Sequence, residues 1–191
     1  MLRIFAAWLG LLLLIPPANA AGNTVRSPFD KPRPLYSIDA VDYQLNLTAT
    51  GVNGQITLNG QVLLGQPEPI LLFAHDITIT AISNMQGGTL LSDEQGYKLF
   101  IQPDQTSFQL TFDVAVPVQE DQQSRFIAFG VPAAVKNALQ LGVSESLQLL
   151  DTPGLKHSDG LYYFAPSDKL SLRFEDAALA RLHDPRLLRV S

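Results

Sequence analysis

The stretch Val41-Asp42-Tyr43-Gln44-Leu45-Asn46-Leu47-Thr48-Ala49 alternates apolar and polar side chains over nine residues. Successive side chains on a strand point to opposite faces, so this pattern predicts a half-buried strand with one wet face. Gly51-Val52-Asn53-Gly54 follows. Asn-Gly favours the positive φ angles of a tight hairpin turn, which places a turn there. Ile56, Leu58, Val62 and Leu64 then resume the alternation, with Gly60 in the same phase. The unbroken phase favours a bulge at Asn59-Gly60 within one strand over a second turn.

Working outward, the same signals recur. Residues 65–69 read as a turn, 70–73 as a short buried strand, and 76–82 as a strand rich in β-branched residues. Gly87-Gly88 turns the chain, and strands are expected over 89–91, 97–101, 108–118 and 125–131, with a polar loop at 120–124. Residues 132–136 suggest a helical turn. Alternation returns at Leu139, Leu141 and Val143, at Leu147 and Leu149, at Tyr162 and Phe164, and at Leu170, Leu172 and Phe174. Residues 175–183 carry the one helix signal, stopped by Pro185. About ten to twelve strands, with no helices of crossover length between them, predict an all-β fold. The expected architecture is an antiparallel β-sandwich, immunoglobulin-like or related, with a short C-terminal helix. It would occupy residues 35–176, with a candidate seam near Pro132, after which the pattern weakens.

One part of this pattern resembles a known family. Tyr43-Gln44-Leu45-Asn46-Leu47, then Gly60-Gln61-Val62, then Ile70-Leu71-Leu72-Phe73-Ala74-His75-Asp76-Ile77-Thr78-Ile79 is similar to the opening β-domain of zinc aminopeptidases of the gluzincin type. The resemblance covers roughly 40 residues and consists mostly of alternation that any sandwich shares. It implies a fold. The His-Glu-x-x-His motif of that family does not occur in the sequence, so no metal ligand or catalytic residue carries over.

The two ends differ from the body. Arg3, an apolar run over 4–15, Pro16-Pro17 and Ala18-Asn19-Ala20 together read as a secretory signal, with cleavage expected after Ala20. Twelve apolar residues rise about 18 Å as a helix, short of the ~30 Å a membrane span needs. Cleavage would leave no transmembrane span, and no cysteine follows the run to carry a lipid. The protein is therefore expected to be exported, periplasmic or secreted. Residues 21–34 hold three prolines and read as a Pro-rich linker. Residues 177–191 read as a basic amphipathic tail.

The 191 residues carry 13 Lys+Arg against 18 Asp+Glu, and no cysteine, so folding relies on the core alone. Linker and tail are each net +2, while residues 35–176 hold 6 basic and 16 acidic side chains. An acidic body repels phosphate backbones, which argues against nucleic-acid binding.

Few residues combine into a site. The histidines, His75, His157 and His183, lie in separate segments, whereas zinc sites usually draw two ligands from nearby positions. Asp151 and Asp159 share a loop with Gly154 and Gly160, but without the Asp-x-Asp-x-Asp spacing of a calcium loop. His157-Ser158-Asp159 holds the residue types of a hydrolytic triad, yet consecutive side chains diverge. Asp93-Glu94 and Glu120-Asp121 fall in turns, where acids are expected. No metal or other cofactor is expected.

Two features point to binding. Tyr162 and Tyr163 are adjacent, so on a strand one must face outward, where a ring could stack on a sugar beside Asp159. In the tail, Leu179, Leu182, Leu187 and Leu188 stand beside Arg181, Arg186 and Arg189, a pattern that could dock on a partner or an anionic membrane surface. The expected function is a non-catalytic exported β-sandwich that contacts an envelope protein as an accessory or assembly subunit. The alternatives are a carbohydrate-binding module using exposed tyrosines, and an enzyme with an unrecognised site.

Overall fold

In the computed structural model, the residues described are 35–121, 124–150, 152, 154–166 and 169–178. β1 (Tyr36–Leu47) and β2 (Gly51–Val62) form a long antiparallel hairpin. Thr48 closes it, its amide and its hydroxyl both donating to the Gly51 carbonyl at 2.9 Å. The turn therefore precedes Asn53-Gly54, which pairs inside the ladder with Asn46 and Leu45. Glycine at 54 serves close strand approach instead: its φ is 155°, and a Cβ there would come within 2.0 Å of the Gln44 carbonyl oxygen. The bulge expected near Gly60 is present, but the extra residue is Asp39 on β1, since Ile38 pairs with Gly60 and Ala40 with Asn59.

The chain continues through β3 (Ile70–Phe73), β4 (Thr78–Gln86), β5 (Gly88–Asp93), β6 (Gly96–Ile101) and β7 (Ser107–Pro117). It then forms β8 (Gln119–Glu120), β9 (Arg125–Gly130), β10 (Lys136–Val143), β11 (Leu147–Leu149), β12 (Lys156–Ser158), β13 (Leu161–Phe164) and β14 (Lys169–Asp176). A seven-stranded sheet runs β12-β13-β10-β1-β2-β7-β4. A four-stranded sheet (β11-β14-β9-β8) and a three-stranded sheet (β3-β6-β5) complete the all-β sandwich. Pro132 lies between β9 and β10; β9 pairs with the later β14, and β10 with the earlier β1.

Three local expectations differ from the structure. β1 and β10 run parallel, Ala40 opposite Lys136 through Leu47 opposite Val143, within otherwise antiparallel sheets. A parallel pair needs a long crossover, and residues 48–135 provide one by folding into the intervening strands. Residues 132–136 form no helical turn, because the Val135 amide donates to the Ile38 carbonyl at 2.9 Å and lays this segment along β1. At the C-terminal end, Glu175 and Asp176 belong to β14, paired with Gln148 and Leu147, rather than to a helix. Ala177 and Ala178 are helical, and the rest of the expected helix lies outside the described residues.

The inward phases of the sheets share one core. Tyr43, Phe73, Phe112, Phe129 and Phe174 are buried, and each fully buried large apolar side chain contributes about 1.5–3 kcal/mol. The Phe73 ring meets Phe112 edge-on at 5.4 Å, joining the small sheet to the large one, and Tyr43 meets Phe129 at 6.4 Å, joining the large sheet to the four-stranded one. Two polar groups are enclosed with this core. The Tyr43 hydroxyl and the Asn137 carboxamide are buried without a hydrogen-bond partner among the described residues. Burial raises the Tyr43 pKa well above that of an ordinary tyrosine and keeps the phenol neutral.

An unpaired buried hydroxyl costs stability, while the ring around it fills the core. Tyr43→Phe is therefore expected to leave the urea unfolding midpoint unchanged or raise it, whereas Tyr43→Ala should lose about 3–5 kcal/mol, the usual cost of deleting a buried aromatic. Gly54→Ala should lose more than about 1 kcal/mol in the same titration, because the new Cβ has nowhere to go.

Candidate functional site

Free sheet edges are where a sandwich remains open to other chains. β12 and β4 end the seven-stranded sheet, β11 and β8 the four-stranded one, and β3 and β5 the three-stranded one; β8, β11 and β12 are only two or three residues long. The register of β4 on β7 shifts between Ile79 and Ala81 and again between Ile82 and Asn84, and β3 shifts on β6 between Leu71 and Phe73. Such irregularities twist an edge away from further pairing. β5 differs: it pairs with β6 without a break from Gly88–Ile101 to Asp93–Gly96, and its other edge carries no strand among the described residues.

Between β4 and β5 lies a slot of about 370 Å3. Ile79, Ile82, Leu90, Leu91 and Tyr97 supply its apolar lining. The Tyr97 hydroxyl accepts from the Ile79 amide at 3.4 Å and ties β6 to β4. Ile82 is 48% exposed and Leu91 52% exposed. Leu71, 49% exposed, extends the apolar surface across the outer face of the small sheet, where Lys98 lies between it and Leu91. Lys98 is neutralised locally by Asp93 at 2.7 Å. Hydrogen bonds from Lys98 and from the Gln95 amide hold the Asp93 carboxyl below its ordinary pKa. His75 Nε2 sits 2.7 Å from the Asp93 carbonyl, and its ring meets Tyr97 edge-on. This arrangement can hold an apolar segment. Among the described residues, no group of three His, Cys, Asp or Glu side chains is placed to hold a metal.

The residues singled out in the sequence fall elsewhere. Asp159 and Gly160, with φ of 53° and 78°, form the two-residue turn between β12 and β13, and Asp159 Oδ2 accepts from the Ser158 hydroxyl at 3.0 Å. Tyr162 and Tyr163 part to opposite faces of β13. Tyr162 lies opposite Leu139 and packs towards the core, with the His157 ring at 4.9 Å. Tyr163 lies opposite Ala138, on the outward phase. Leu179, Arg181, Leu182, Arg186, Leu187, Leu188 and Arg189 lie outside the described residues, as do Asp151 and His183. No helix among the described residues is long and apolar enough to cross a membrane.

Sequence reasoning passed over the slot because Ile82 and Leu91 sit in strands where apolar residues are expected. The signal was present in Leu90-Leu91, two adjacent large aliphatic residues that a strand must send to opposite faces.

No protein-family model matches the chain, and no curated protein sequence matches it. Solved structures similar to it include yeast leukotriene A4 hydrolase in complex with bestatin, at 12% identity and a TM-score of 0.48, over 79% of this chain and 32% of that one. An M1 zinc metallopeptidase from Deinococcus radiodurans gives 11% and 0.45, over 73% of this chain and 42% of that one. Legionella pneumophila aminopeptidase A in complex with aspartic acid gives 13% and 0.46, over 75% and 22%. The chain thus spans well under half the length of these proteins, and at these values the likeness assigns it neither family nor activity.

Proposed function

We propose that the chain is a non-catalytic exported β-sandwich protein that acts by protein–protein contact in the cell envelope, as an accessory or assembly subunit. The signal-like pattern over residues 1–20 supports export. The observation that carries the contact is the apolar slot beside the regular free edge of β5. The partner contributes an extended segment that adds to β5 by main-chain hydrogen bonds. Alternate apolar side chains of that segment fill the space between Leu90, Ile79 and Tyr97. Specificity for an uncharged strand follows from the local pairing of Lys98 with Asp93.

Affinity capture from an envelope extract tests this reading, followed by hydrogen exchange on the captured complex. Ile82→Lys and Leu91→Lys change exposed side chains, so the fold should persist while capture falls at least about tenfold, the effect of about 1.4 kcal/mol. Amides of β5 should exchange more slowly in the complex. Capture that survives both substitutions, or that is lost instead on deleting residues 177–191, would remove the slot from the contact.

A further inference from the structure

The outer face of the seven-stranded sheet carries a second feature, independent of the β5 edge. Gln140 on β10 lies beside Gln44 on β1, Gln44 beside Gln55 on β2, and Gln55 beside Asp113 on β7. Neighbouring strands lie about 4.8 Å apart, so an amide or carboxylate recurs at each step across four strands. Asn46 and Asn53 form a second, directly paired rung. These six side chains line one open groove of about 680 Å3. Gly142 lies opposite Asn46 and leaves the floor bare; a Cβ there would come within 2.5 Å of Asn46 Oδ1. Gly160, in the β12–β13 turn, borders the groove, and Tyr163 lies on the same outward phase one strand beyond Gln140.

The chemistry of this surface is selective. A carboxamide offers donors and an acceptor together, and so does each hydroxyl of a sugar. Gln55 Nε2 donates to Asp113 Oδ1 at 3.2 Å, which fixes the carboxylate in line as a strong acceptor. The carboxamides of Gln44, Asn46, Asn53 and Gln140 are not committed to other described residues. Among the described residues no lysine or arginine lines the groove, so a phosphate or carboxylate ligand would find no counter-charge from them and would meet Asp113. Of the apolar residues bordering it, Leu45 and Val114 are buried in the core and Leu141 packs partly against it, so the described lining offers little apolar surface to a lipid or an apolar peptide. The openness of the groove across several strands suits a chain ligand rather than an enclosed small molecule.

We infer that this groove binds an uncharged oligosaccharide, held by hydrogen bonds from Gln44, Asn46, Asn53, Gln55 and Gln140 with Asp113 as an acceptor. This site is the polar phase of four strands rather than the Tyr162-Tyr163 pair. It does not depend on the contact at β5.

A nitrogen-15 NMR titration of the chain with maltohexaose, cellohexaose and chitohexaose tests it, with an oligogalacturonate as the anionic control. At least one neutral hexasaccharide at millimolar concentration should shift the amides of residues 44, 46, 53, 55 and 140. The Gln44→Ala/Gln140→Ala double variant should weaken that binding at least about tenfold without lowering the melting temperature, since both side chains are exposed. Ile82→Lys and Leu91→Lys should leave it unchanged, so the two surfaces read separately. No shift with any of the three sugars, equal affinity in the double variant, or preference for the oligogalacturonate would overturn the inference.

Discussion

The two-residue phase of β1 sets what every other layer can do. β2 holds it on one edge and β10 on the other, each through eight or more residues of continuous pairing. That double clamp turns Val41, Tyr43, Leu45 and Leu47 inward and Asp42, Gln44 and Asn46 outward. A slip of one residue would exchange the two sets, placing amides in the core and Tyr43 in water. The absence of cysteine means no covalent tie corrects such a slip, so the register is enforced by burial alone.

From this strand the sandwich builds in two directions. Inward, Tyr43 reaches Phe129 and Phe164, while Phe112 on β7 reaches Phe73, so aromatic contacts join the large sheet to both smaller ones. Outward, the same pleat lays a row of three carboxamides and one carboxylate across four strands. Core and groove are therefore two faces of one periodicity. The slot at β5 arises differently: the large and small sheets end side by side there, and their edges leave Ile82 and Leu91 facing solvent.

How far the sequence reads through to these features depends on which physical signal each one uses. Burial is written in period two, so the inward faces of β1, β2, β7 and β14 are plain from the residues. Strand direction has no such signature, and the parallel β1–β10 pair could not be read from Leu139, Leu141 and Val143. Turn chemistry misled at Asn53-Gly54, where glycine answers a need for backbone proximity, whereas Asp159-Gly160 does form a tight turn. The groove was hidden for another reason. Gln44, Gln55, Asp113 and Gln140 lie far apart in the chain, each reads singly as a solvated strand position, and only the register brings them into line.

The pairing of β10 with β1 also orders events in time. Until residues 136–143 have left the ribosome, the second edge of β1 stands open, with an apolar inner face and a row of unused amides and carbonyls. The middle of the large sheet is thus completed late, by one of the most distant contacts in the chain, which is the topology of a slow folder. Over that interval the nascent β1–β2–β7 sheet is a template for any other extended chain. That exposure ends only when residues 136–143 dock on β1 and close its second edge.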